Sequence, residues 1–241
     1  MKKRAGINTL RHQWSYVYGP EARKSLGELL ELDETVVPEG GRWNEFARSV
    51  EGAEIVLSTW RAHPFTKELL DRSPNLELVI YAAGSVKPIV TEELINRGIK
   101  VCSAVHLNAQ PVAEFTLGII LMALKSVFAL NDRFHETGPP AWSVDLEHFP
   151  GGYFRSRVGL LGYGRVTEQL LRLLKNFEME ILLSDPYLGE EQIRSMGATP
   201  ATLEEIMSSC DVVSLHHGNT PQNREMINSA NLALLKSGSA R

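Results

Sequence analysis

A chain of 241 residues, 43% hydrophobic and 22% charged, is long enough for two ordinary domains and has a globular balance that excludes a disordered or collagen-like polymer. A formal net charge of −4 offers no basic face to a phosphate backbone, which argues against nucleic acid and for a small-molecule partner. Two cysteines, Cys102 and Cys210, are too few for a disulfide framework and carry no metal-ligand spacing, so both read as buried thiols of a cytoplasmic protein. The basic start, MKKRAGINTLRHQW, is followed by no apolar signal region, and the longest apolar stretch, 115–124, is too short to span a bilayer.

In chain order, 20–32 reads as a helix, 34–37 as a short strand and 42–50 as a second helix. Apolar runs at 54–60 (EIVLSTW), 76–84 (LELVIYAAG) and 99–104 (IKVCSA) then read as strands. They alternate with FTKELLDR from Phe65 and VTEELINRG from Val90, crossover helices each with a threonine placed to cap. That rhythm is α/β. From 109 to about 135 a single long helix is expected, apolar on most faces over its first half, and such a helix needs packing all round. ETGPPAWSVDLEHFPGGYF reads as an irregular crossing between two lobes. A second α/β rhythm starts with RVGLLGYG at Arg157 and passes through a helix to EILLSD at 180–185, DVVSLHH at 211–217 and a helical 229–235. The closing KSGSAR falls where a further strand is expected to start, at Ser239.

The strongest chemistry lies in VGLLGYGRVTEQLLRLL, which sets Gly162 and Gly164 at the turn between an apolar strand and an amphipathic helix. Gly162 permits the tight turn and Gly164 lets the backbone approach a pyrophosphate, while the amides of Arg165 and Val166 are placed to donate to its oxygens. Thr167 stands where a third glycine would, and its β-branched side chain is expected to push the helix off the strand or to require a smaller neighbour. Asp185 ends the next strand about twenty residues on, where a carboxylate accepts from ribose hydroxyls and repels a 2'-phosphate, so NAD is preferred over NADP. The alternative is a glycine turn of an ordinary α/β protein. The pair His216 and His217 lacks a third ligand of suitable spacing, so no metal site is assigned.

With these residues in view the chain resembles the D-2-hydroxyacid dehydrogenase family over roughly residues 54 to 238. YAAGSV, NAQPVAEFTLGIILMALK, VGLLGYGRV with LLSDPY, and DVVSLHHGNTPQNREMIN carry the resemblance, in the family's order. It implies two doubly wound parallel-sheet domains: a flavodoxin-like substrate domain, here 1–105, and a Rossmann NAD-binding domain, here 106–241, joined by the long helix. Ala83, Gly84, Ser85 and Val86 match the family loop whose amides hold a substrate carboxylate. Thr116 matches a position near the nicotinamide. Tyr163 and Pro186 stand in the blocks of the glycine turn and Asp185, and His216, Gly218 and Thr220 match the cofactor-lining loop, with Gly218 replacing a usual proline. The implied reaction is hydride transfer between NAD and C2 of a small 2-hydroxyacid or 2-oxoacid, in a homodimer built on the long helix. The family's catalytic arginine, glutamate and histidine come after the last residue, and Arg241 is not identified with that arginine. The sequence therefore reads as C-terminally truncated, with an incomplete Rossmann domain, no assigned catalytic residue and no expected turnover. A competing class is an NAD(H)-responsive sensor, similar to the corepressors of the same superfamily.

Overall fold

The computed structural model describes residues 1–138 and 152–235. The chain divides into two compact units, Met1–Asn108 and Ala109–Arg241. In the first, β1 (Lys3–Asn8), β2 (Leu30–Leu32), β3 (Ile55–Ser58), β4 (Leu78–Tyr81) and β5 (Lys100–Ser103) form a parallel sheet in the order β2-β1-β3-β4-β5. This is the flavodoxin-like doubly wound order, which reverses direction at β1 and β3. Its helices are α1 (Arg11–Val17), α2 (Pro20–Leu29), α3 (Trp43–Ser49), α4 (Lys67–Leu70) and α5 (Glu92–Asn96). Both faces of the sheet are covered: Val56 and Val79 pack with Phe65, Leu69, Leu70 and Leu94, whereas Ile7 and Leu57 pack with Trp14 and Tyr18. Double coverage is why β3 is buried at every residue and reads as a continuous apolar run.

Several sequence expectations change here. β1 lies inside the sheet yet escaped the reading, because KRAGIN opens with two exposed cations and buries only its last four residues. The expected helix 20–32 stops at Leu29, since Leu30 and Leu32 pair with Lys3 and Ala5 as an edge strand. The expected strand 34–37 leaves only a bridge between Leu10 and Val37. Thr91 caps α5, its hydroxyl accepting from the Leu94 amide at 3.2 Å, whereas Thr66 occupies the N-cap of α4 without a side-chain cap bond. Cys210 is buried, but Cys102 is exposed, because β5 ends the sheet and turns that side chain outward.

The long helix is two helices: α6 (Val105–Leu124), which begins before Ala109 and carries Pro111 within it, and α7 (Val127–Thr137). Ser126 separates them in the left-handed conformation, φ 53°, which stops a right-handed helix. Ala113, Ile120 and Leu124 join the core of the second unit, but Phe115 remains 71% exposed, so the expected all-round packing is not found. At 20 residues α6 is long and apolar enough to cross a membrane, by length and composition only, in contrast to the shorter stretch read from sequence. Most of the irregular crossing, the closing KSGSAR and the strand expected at Ser239 lie outside the described residues.

The second sheet is parallel, with β6 (Arg157–Leu161), β7 (Glu180–Ser184), β8 (Thr199–Pro200) and β9 (Val212–Leu215) in the order β8-β7-β6-β9. That is the 3-2-1-4 arrangement of a Rossmann sheet. Helices α8 (Arg165–Leu174), α9 (Glu190–Ser195) and α10 (Leu203–Ser209) connect the strands, and α11 (Ser229–Leu232) is shorter than the segment expected at 229–235. Leu160, Leu170, Leu174 and Leu183 form one core layer, and Leu161, Leu182, Ile206, Met207 and Cys210 the other. Gly159 admits α10 to the sheet, since a Cβ there would run into Ile206 and Cys210.

Candidate cofactor site

At the C-terminal end of β6 the chain must turn sharply into α8, and Gly162 does so at φ +98°, a conformation L side chains rarely adopt. A Cβ on Gly162 would sit 2.7 Å from the His217 amide nitrogen and 2.8 Å from the His217 Cγ, so the turn is closed on that side by the loop after β9. Gly164, the N-cap of α8, has the opposite surroundings: a Cβ there would meet nothing within 4 Å. The first amides of α8, those of Arg165 and Val166 included, lack intrahelical acceptors and border this open space, which is the physical makeup of an anion cradle. The residues thus fit a pyrophosphate. Arg165 turns its guanidinium to Glu168 at 3.0 Å.

Thr167 does not displace the helix. It is fully buried, and its hydroxyl donates to the Gly162 carbonyl at 2.8 Å while Leu170 and Leu174 stay packed on the sheet. A hydroxyl thus ties helix to turn where a third glycine would allow bare contact.

Asp185, just beyond β7, is held by two amides. Tyr163 N–H donates to its Oδ2 at 2.7 Å and Tyr187 N–H to its Oδ1 at 2.9 Å, so the glycine turn and the acidic residue form one unit. Each carboxylate oxygen retains a lone pair for a ribose hydroxyl. Beside it opens a cleft of about 660 Å³ lined among others by Asp185, Pro186, Glu190, Glu205, His217 and Asn223. Among the described residues three carboxylates and neither lysine nor arginine line it, a charge pattern hostile to a 2'-phosphate.

His216 continues from β9, its amide donating to the Leu161 carbonyl at 2.7 Å and its Nε2 lying 2.9 Å from Ser214 Oγ. Burial pushes its pKa below the ordinary imidazole value, which favours the neutral ring. The Gly218 carbonyl accepts from Asn223 Nδ2 at 2.9 Å, and Thr220 occupies the N-cap position of the short 3-10 turn Pro221–Asn223 without a side-chain cap bond. His217, Glu190, Glu205 and Asn223 were not singled out from sequence as cofactor residues. His217 neighbours a nominated residue, and Thr202 with Glu205 spells a readable capping box, but their shared cleft exists only once α9, α10 and the loop after β9 assemble.

Thr116 and Ala83 to Val86 are not among the residues that line this cleft. Thr116 of α6 donates its hydroxyl to the Val112 carbonyl at 2.7 Å. Ala83 to Val86 follow β4 in the first unit. Ala83 is buried, Ser85 is exposed, and the Ser85 hydroxyl accepts from the Lys87 amide at 3.4 Å. Among the described residues no acceptor takes the amides of Gly84, Ser85 or Val86. Gly84 suits close approach, as a Cβ there would lie 3.0 Å from Asn108 Nδ2.

Comparison with known proteins agrees with this geometry. The family model described as the NAD-binding domain of D-isomer specific 2-hydroxyacid dehydrogenases matches residues 117–240. D-3-phosphoglycerate dehydrogenase of Haemophilus influenzae is 30% identical over 200 residues, which cover 81% of this chain and 46% of that protein. The chain thus spans less than half the length of that relative. Among solved structures, D-lactate dehydrogenase from Aquifex aeolicus, complexed with NAD and lactic acid, matches with TM-score 0.70 at 23% identity, covering 97% of this chain and 66% of that one. Rhodotorula graminis D-mandelate dehydrogenase matches with TM-score 0.75 at 16% identity, covering 98% and 71%. At these identities the structural likeness speaks for the fold.

Proposed function

The chain belongs to the D-isomer-specific 2-hydroxyacid dehydrogenase family, whose cofactor is NAD, and on that premise we propose that it serves hydride exchange at C2 of a small 2-hydroxyacid or 2-oxoacid. The observation that carries the reading is the joined glycine turn and acidic residue: Gly162 in its left-handed turn, the open N-terminus of α8 and the Tyr163 amide bound to Asp185. NAD, when bound, accepts or donates the hydride. The chain's own residues would hold it, with Asp185 on the adenosine ribose, the amides of Arg165 and Val166 on the phosphates, and the loop from His216 to Thr220 along the cleft.

In the first unit the consecutive amides of Gly84, Ser85 and Val86, which have no acceptor among the described residues, support a carboxylate-binding role, because successive N–H groups can form an anion-binding concavity. That unit is proposed as the substrate domain. A homodimer through α6 is supported by the exposed Val112, Phe115, Ile119 and Met122, whose three- and four-residue spacings make an apolar seam along one helix face. The cytoplasm is the proposed compartment, on the two-cysteine composition. Proton exchange at the substrate hydroxyl needs a base, and none of the seven histidines of this sequence is assigned that role. The 241-residue polypeptide is expected to bind NADH at this site.

Titration with NADH, followed by nicotinamide fluorescence, tests the reading. Saturable binding that disappears in Gly164→Val, and a markedly weaker response to NADPH, are expected. Equal binding by wild type and Gly164→Val would overturn the site.

A further inference from the structure

His217 was left over by the reading of His216 as the cofactor-loop residue, yet the fold puts it in the more consequential place. Its backbone and ring close the flank of the glycine turn, and its side chain lines the cleft that contains Asp185. A dinucleotide seated with its ribose on Asp185 and its phosphates at the N-terminus of α8 must pass this ring. We propose that the His217 imidazole is a direct phosphate contact of the dinucleotide, and that NAD(H) binding takes up a proton there. The proposal rests on the cofactor site assigned above.

The charge inventory explains why a cation is wanted. The cleft is lined by Asp185 at the end of β7, Glu190 on α9 and Glu205 on α10, and a pyrophosphate diester adds two negative charges. Among the described residues no lysine or arginine lines it, and the Arg165 guanidinium of the adjoining turn is engaged by Glu168. Among the described lining side chains the His217 imidazole alone can become a cation by taking up a proton. Tyr163, on the glycine turn, contributes its amide to Asp185. On the same loop His216 is turned to Ser214 and favoured neutral by burial, so it supplies no competing cation. The imidazolium of His217 pairs with the incoming phosphates, and by linkage the cofactor and the proton strengthen each other's binding.

The sign is definite: NADH affinity falls as pH rises. Between pH 6.0 and 8.5 the Kd is expected to weaken about tenfold, within the usual range of coupling between two bound species. Titration calorimetry at pH 7.0 in two buffers of different ionisation enthalpy should register uptake of a fraction of a proton. His217→Asn and His217→Gln should flatten the pH profile and abolish the uptake. ADP-ribose, which keeps the pyrophosphate, should reproduce the wild-type slope, whereas adenosine should not. A wild-type chain that binds NADH with a flat profile and no proton uptake would overturn the proposal without recourse to any variant. So would uptake that persists in both variants, or a slope that adenosine shares. Failure of wild type to bind NADH at every pH would instead strike the cofactor site itself.

Discussion

Replacing Gly162 with alanine should destabilise the second unit far more than its single methyl implies. The residue sits at φ +98°, where an L side chain costs about 1–2 kcal/mol, and the new Cβ would lie 2.7 Å from the His217 nitrogen and 2.8 Å from its Cγ. Relieving such overpacking typically costs about 1–3 kcal/mol, because either the turn or the loop after β9 must move. The two together come to about 2–5 kcal/mol. With a urea dependence of about 2 kcal/mol per molar, a loss of about 3 kcal/mol lowers the unfolding midpoint by about 1.5 M. Far-UV circular dichroism in urea reads this directly. Gly164→Val is the internal contrast: φ there is −155° and a Cβ meets nothing within 4 Å, so its stability cost should be about 1 kcal/mol or less while NADH binding is lost. If Gly162→Ala kept its midpoint within about 0.3 M of wild type, less than a third of the smallest cost estimated here, the close packing of the turn against His217 would be wrong.

Thr167→Val keeps the shape of a fully buried side chain but removes the 2.8 Å bond to the Gly162 carbonyl, and should cost about 1–3 kcal/mol in the same urea experiment; a neutral result would mean that the hydroxyl does not tie turn to helix. Asp185→Asn replaces one acceptor by a donor that opposes either the Tyr163 or the Tyr187 amide, and should weaken NADH binding about 10- to 100-fold by fluorescence titration, whereas unchanged affinity would remove Asp185 from the site. His216 is held below its unfolded pKa by burial, so below about 6.5 the unfolded chain binds more protons than the folded one and stability falls with pH. Thermal unfolding from pH 7.5 to 5.0 should show that loss diminished in His216→Asn, and an identical slope in both proteins would exclude His216 as its source.

The elements most legible in the sequence were those whose local pattern and tertiary role coincide. IVLS and LVIY are continuous or nearly continuous apolar runs because both faces of their sheet are covered, and RVGLLGYG announces strand, turn and helix in one segment. β1 and β2 were not legible as strands, since KRAGIN starts with cations and LEL follows a helix without a break. Their pairing with each other, across more than twenty residues of chain, defines both. Likewise the single apolar sweep from 109 to 135 could not disclose the left-handed Ser126 that divides it.

Local residue order by itself determined the α/β class, the glycine turn and the strand-ending Asp185, because these depend on periodicity and on which residue types tolerate a tight turn, while the doubly wound pair of sheets was implied by the family resemblance. Tertiary structure alone decided that the Tyr163 amide reaches Asp185, that Thr167 finds its acceptor in the Gly162 carbonyl, and that His217 rather than His216 walls the cleft. Those facts depend on parallel register between β6, β7 and β9, which brings together residues up to 55 positions apart, such as Gly162 and His217. No local pattern encodes such a meeting, since it arises only when the three crossovers through α8, α9 and α10 have packed.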